Sequence, residues 1–120
     1  MKSKRLINSF KYAFTGIWTA LKKEKNMKIH FAVAVLVVIL GILFKISKVE
    51  WILCTFAIAI VISAELFNTA IETIVDMITA EQNEKAKIAK DVSAGAVLIT
   101  AIGATIVGII IFLPKIAQIF

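Results

Sequence analysis

The chain has 120 residues, 60% of them hydrophobic, and a mean hydropathy of +0.92. Water-soluble domains are about 45–50% apolar, so composition argues against an ordinary globular domain and for a membrane protein. Fourteen Lys and Arg against eight Asp and Glu leave a net charge of +6, and the single cysteine, Cys54, excludes an internal disulfide. At about 20 apolar residues per crossing, the length admits one domain, residues 1–120, with no more than three or four spans.

Ile7, Phe10, Phe14, Ile17, Trp18 and Leu21 recur at helical spacing, while Lys4, Arg5, Asn8, Lys11, Thr15, Thr19 and Lys22 take most of the remaining surface. This predicts an amphipathic helix over 5–23 that lies in the membrane interface, apolar face down; a soluble helix packed on a partner is the alternative. Eight of the fourteen basic residues fall within the first 28 positions. Such a cluster beside membrane-like sequence favours anionic headgroups over nucleic acid, and no nucleic-acid recognition module accompanies it. The segment lacks the compact apolar core and small-residue cleavage site of a signal peptide and is expected to remain in the mature protein.

A first span is predicted over 29–46, with Lys45 snorkelling to the surface. Ser47 to Glu50 turns the chain, and Trp51 opens a second span over 51–78 at a position where interfacial tryptophans are common. Thr79 to Asp91 is polar and reads as an interhelical loop leading into the next helix. A third span follows over 91–113, uncharged from Val92 to Leu113 and closed by Pro114 and Lys115. Within it Ala96, Thr100, Ala104 and Gly108 form a small-residue stripe that predicts close helix packing. The fold expected is all-α, with three transmembrane helices plus an N-terminal surface helix. The distribution of lysines places the N-terminus and the second loop in the cytoplasm.

The second span carries the chemistry. In "AELFNTAIETIVD", Glu65, Asn68, Glu72 and Asp76 fall at about 0°, 300°, 340° and 20° around a helix, one face about 16 Å long. An acid at mid-membrane costs about 2.5–3.5 kcal/mol, so an offsetting role is expected. Three uses compete: a purely structural polar seam, an ion or proton path, and a metal and phosphate site with a separate carboxylate as proton acceptor. The downstream "KIAKDVSAGAVL" supplies Lys87, Lys90 and Asp91 followed by small residues, which suits phosphate oxygens. No GxxxxGK[ST] or GxGxxG cradle is present, and one histidine, His30, with one cysteine cannot build a zinc cluster. His30 itself reads most simply as an interfacial residue at the mouth of the first span.

"AELFNTAIETIVD" followed by "AKIAKDVSAGAVL" closely resembles the paired signature of the small prokaryotic diacylglycerol kinase family of integral membrane lipid kinases. The resemblance runs nearly end to end and includes Glu24 just before the first span. It implies ATP-dependent phosphorylation of a membrane lipid alcohol with Mg²⁺, at the bacterial cytoplasmic membrane, by a homotrimer with shared active sites. "KEKNMKIHFAVAV" and "FLPKI" resemble the Gram-positive, undecaprenol-phosphorylating type; diacylglycerol is the alternative acceptor. His30 stands where enterobacterial-type members carry a carboxylate. Carried over by position, Glu65 is the catalytic base and Glu24 and Glu72 bind metal. Arg5, Tyr12, Glu24, Glu72, Lys90 and Asp91 contact nucleotide, and Asn68 and Asp76 support the cluster. A small ion- or proton-conducting oligomer is the non-enzymatic rival; it would use the same acids but leave Lys90, Arg5 and Glu24 without a task.

Overall fold

The computed structural model describes residues 2–120, which form four helices and, among the described residues, no strand. These are α1 (Lys2–Lys23), α2 (Lys25–Leu43), α3 (Lys48–Ile78) and α4 (Glu84–Ala117). The last three are long and apolar enough to cross a membrane, so the chain is a multi-pass membrane protein. Along α1 the apolar face stays largely uncovered, and only Ile17, Ala20 and Leu21 turn toward the rest of the protein.

Each junction has a local cause. Glu24 alone interrupts α1 and α2: its backbone is extended, at φ −103° and ψ 122°, and redirects the chain. At the end of α2, Lys45 adopts φ 51°, its N–H donates to the Ile42 carbonyl at 3.3 Å, and the Ile46 N–H donates to the Gly41 carbonyl at 3.1 Å. This is a Schellman stop, and it ends the helix at Leu43 rather than at 46. Ser47 and Glu50 then cap α3 reciprocally: the Ser47 N–H donates to Glu50 Oε1 at 2.9 Å and the Glu50 N–H to Ser47 Oγ at 3.2 Å. α3 therefore starts at Lys48, ahead of Trp51.

Two expectations about the third span are corrected. The polar stretch from Thr79 to Asp91 is a loop only as far as Asn83, whose Oδ1 accepts from the N–H groups of Lys85 and Ala86 at 2.9 and 3.2 Å and starts α4 at Glu84. Pro114 does not close α4 either, because the helix runs on to Ala117. A proline gives up one intrahelical N–H, and here the last turn is tied down from its side chain. Lys115 Nζ reaches Glu50 Oε2 at 2.8 Å and the Ile111 carbonyl at 3.3 Å.

α3 is the central helix, packed along both α4 and α2. The radius of gyration is 17.7 Å, against about 14 Å for a compact chain of this length. Exposed area is 9255 Å², well above the roughly 6400 Å² of a folded soluble protein of this mass. Large side chains such as Leu36, Phe56, Phe67, Ile99 and Ile110 account for part of it. Such a surface is stable only against hydrocarbon or another apolar face. Among the described residues, Ile46, Cys54, Ile111 and Phe112 form the buried cluster where the start of α3 meets the end of α4.

One position between α2 and α3 requires glycine. A Cβ on Gly41 would lie 2.6 and 2.9 Å from the Trp51 ring, whereas one on Gly108 would meet nothing within 4 Å. Ala104 and Gly108 instead line an open cavity between the spans. Gly41→Ala is therefore expected to destabilise the α2–α3 hairpin by about 1–3 kcal/mol through overpacking. Thermal unfolding in detergent measures the loss, and Trp51→Leu in the same chain should recover most of it.

Candidate active site

The inward seam of α3 is Cys54, Val61, Glu65 and Asn68, all buried. The first two are apolar and the next two polar, so one helical stripe changes character as it nears the α3–α4 loop. Counted from Trp51 at one membrane edge, Glu65 comes about 21 Å along the helix and Glu72 about 31 Å. A hydrocarbon layer about 30 Å thick thus ends near Glu72 and leaves Glu65 inside it.

Glu65 is 2% exposed, Asn68 7% and, across the interface on α4, Ser93 6%. Asn68 and Ser93 belong to a connected polar chain. The Ser93 hydroxyl lies 2.6 Å from Asn68 Oδ1 and 3.0 Å from the Lys90 carbonyl. Asn68 Nδ2 donates to Glu72 Oε1 at 3.3 Å. Only this orientation of the carboxamide gives the carboxylate a donor. Among the described residues no buried side-chain nitrogen or oxygen is left without a partner, as burial in a low-dielectric interior demands.

Lys90 approaches from α4 and its Nζ lies 2.6 Å from Asp76 Oδ1, with both side chains partly in solvent. An ammonium has three donors, so this pair leaves capacity for phosphate oxygens. Glu72 is within electrostatic reach of Lys90, and both Glu24 and Glu72 are within reach of Glu65. Asp76, Lys90 and Asp91 border an open cleft of about 900 Å³ beside the α3–α4 loop.

The remaining sequence-derived positions are more peripheral. Asp91 is about 100° around α4 from Lys90, exposed and held by Lys87 Nζ at 2.6 Å. Arg5 and Tyr12 are exposed on α1, two turns apart, with no ion pair or side-chain hydrogen bond among the described residues. No three His, Cys, Asp or Glu side chains of the described residues converge on a metal-sized point.

The sequence reading counted Ser93 only among the small residues after Asp91 and gave His30 no place in the site. Ser93 follows Lys90 by three positions and so shares its face of α4, a signal that was available. His30 was read as interfacial, yet it turns inward: its Nε2 lies 3.6 Å from Glu65 Oε2. Its register with Met27, Ala34, Val37 and Gly41 could have revealed this.

A deep carboxylate, a shallower carboxylate with a neighbouring ammonium, and an open cleft at the membrane edge can accept a proton from a lipid-phase group while holding an anionic one. The fold and these residues define a small multi-pass membrane protein with a polar cluster at one end of its bundle. A family model described as prokaryotic diacylglycerol kinase matches residues 11–112, and the chain belongs to that family; it is an enzyme of the lipid kinase class. Similarity extends to the undecaprenol kinase of Bacillus subtilis (strain 168), 44% identical over 92% of this chain and 90% of that protein. A diacylglycerol kinase of Synechocystis sp. is 38% identical over 91% of this chain and 63% of its own length. The diacylglycerol kinase of Escherichia coli (strain K12) is 29% identical over 85% and 84% of the two chains.

Ser93→Ala should leave the Asn68 carboxamide oxygen buried without its donor and cost about 1–3 kcal/mol. The measurement is thermal unfolding in detergent, and Ser93→Thr, which keeps a hydroxyl, should cost less.

Proposed function

We propose that the chain transfers the γ-phosphoryl group of ATP to the hydroxyl of undecaprenol, with diacylglycerol as the second-ranked acceptor. The observation that carries this is the depth order on α3, with buried Glu65 about 10 Å along the helix below Glu72 at the membrane edge. A lipid hydroxyl resides just under the surface and a nucleotide just above it. The preference for undecaprenol draws on the 44% identity to the Bacillus subtilis undecaprenol kinase.

Phosphoryl transfer asks a protein mainly to align donor and acceptor and to neutralise charge. Glu65 accepts the hydroxyl proton as the lipid oxygen bonds to the γ-phosphorus and the bond to the ADP oxygen breaks. Lys90 meets phosphate oxygens, with Asp76 keeping its ammonium near the cleft. Asn68 fixes the Glu72 carboxylate, and Ser93 fixes Asn68. Arg5, Tyr12 and Asp91 contact the nucleotide. Glu24 and Glu72 would hold Mg²⁺. Two carboxylates without a third protein ligand suit this ion, which is usually held by one or two carboxylates together with substrate phosphates. When bound it supplies positive charge against the phosphoryl oxygens. The protein is placed in the bacterial cytoplasmic membrane with its N-terminus inside, where ATP is, and assembled as a homotrimer. A trimer would also cover part of the apolar surface that one chain leaves bare.

The test is transfer of labelled γ-phosphate to each lipid in mixed micelles. Transfer is expected to both, faster to undecaprenol, and to stop on chelation of divalent cations. No transfer to either by folded protein with Mg²⁺ present would overturn the proposal. Glu65→Gln should lower kcat by at least about 10²-fold while nucleotide still binds, whereas Glu72→Gln should weaken nucleotide binding itself. Equal loss of nucleotide binding in both variants would contradict the division of roles.

A further inference from the structure

Three polar side-chain contacts join α3 to α4 among the described residues. Two belong to the site, Ser93 with Asn68 and Lys90 with Asp76. The third lies at the opposite end of the bundle, where Lys115 Nζ meets Glu50 Oε2 at 2.8 Å across 65 positions of sequence. Its side chains are 27% and 24% exposed, better covered than those of Lys90 and Asp76 at 41% and 65%. Nothing in the reaction just described uses this pair.

Both partners are also held from other directions. Glu50 Oε1 accepts from the Ser47 N–H at 2.9 Å, so the start of its own helix fixes the carboxylate. Lys115 Nζ donates to the Ile111 carbonyl at 3.3 Å, beside Pro114, which has no N–H to give. The neighbouring cluster of Ile46, Cys54, Ile111 and Phe112 is apolar. Apolar packing is non-directional and by itself sets the sliding of one helix along another only loosely. An enclosed ion pair is directional, and fixing register is its best-attested use.

The spacing fits that use. α3 covers about 39 Å from Glu50 to Asp76, and α4 covers about 38 Å from Lys90 to Lys115. The helices run antiparallel across the loop 79–83, so the contacts at the two ends are satisfied together in a single register. Between those ends no side-chain hydrogen bond or ion pair of the described residues crosses from α3 to α4. The long side chain of Lys90 can follow a displaced helix, but the short ones of Ser93 and Asn68 cannot. A slip of one turn, about 5.4 Å, separates a hydroxyl and an oxygen that now lie 2.6 Å apart.

We propose that the Glu50–Lys115 pair sets the register of α4 along α3 from the far membrane face, so that Ser93 arrives at Asn68 and Lys90 at the phosphate cleft. Glu50 and Lys115 are thus positioning residues. They act through Ser93 and Lys90, which lie about 33 and 38 Å along α4 from Lys115.

The inference rests on Lys90 as the phosphate ligand, and the experiment separates the two. Full-length variants in mixed micelles are compared at equal folded fraction by thermal unfolding. Lys115→Met and Glu50→Gln should each lower kcat/KM for nucleotide roughly tenfold, the equivalent of one lost hydrogen bond. Lys115→Arg, which keeps the charge and the donors, should recover most of the loss. Sites this far apart ordinarily act independently, and their fold-losses multiply. Because Lys115 works through Ser93, the double variant Lys115→Met/Ser93→Ala should be no slower than the slower single one. An unchanged kcat/KM in Lys115→Met overturns the inference, as do losses that multiply. Register is read separately from the distance between spin labels at Phe56→Cys and Ile99→Cys, both exposed positions, in a Cys54→Ala chain diluted with unlabelled protein. Lys115→Met should shift that distance by several ångström, and an unchanged distance overturns the inference. If Lys90→Met binds nucleotide normally, the phosphate role of Lys90 fails, while the label distance still decides the role of Glu50 and Lys115.

Discussion

A carboxylate left 2% exposed on a membrane-spanning helix is the constraint around which this protein is arranged. Hydrocarbon cannot solvate it, and isolation there would cost several kcal/mol. The surrounding helices respond with polar groups at its level. α4 supplies Ser93 to Asn68, Asn68 supplies an amide to Glu72, and α2 brings His30 to 3.6 Å from Glu65. Toward the other membrane edge the same seam becomes Val61 and Cys54, and the bundle is held by ordinary apolar packing.

Unequal helix lengths convert that arrangement into a site. α2 has 19 residues, α3 has 31 and α4 has 34, so α3 and α4 exceed a hydrocarbon layer of about 30 Å by several turns. The surplus lies beside the α3–α4 loop because the other end is pinned by the Ser47–Glu50 cap and the Glu50–Lys115 pair. Glu72, Asp76 and Lys90 consequently reach the headgroup region on rigid helix while Glu65 stays below it. In the proposed reaction this depth separates proton acceptance from phosphate handling, and rigid helices hold that separation better than loops could.

The sequence disclosed most where a period was involved. Helical spacing placed Glu65, Asn68, Glu72 and Asp76 on one face, and all-helical architecture with three spans followed from composition and run length. It disclosed least where a contact depends on a second helix. The stripe from Ala96 to Gly108 implied close packing without naming a partner, and the steric need for glycine at Gly41 arises only because the Lys45 turn brings Trp51 back across it. Pro114 suggested an end, but a proline breaks a helix only locally, and the pair between Lys115 and Glu50 anchors the turn that follows. His30 looked like an interfacial residue because its neighbours in sequence are apolar, while its neighbour in space is an acid.

Residue order along the chain by itself determined the helices, the acidic face of α3 and the family, since each is a property of residues spaced along one strand of chain. Tertiary structure alone decided which acid is buried, which base faces it, and that Ser93, Asn68 and Glu72 join into one chain of hydrogen bonds. The physical reason is that burial and pairing are set by what a second helix brings within about 3 Å, and periodicity fixes the direction in which a side chain points without fixing what it meets.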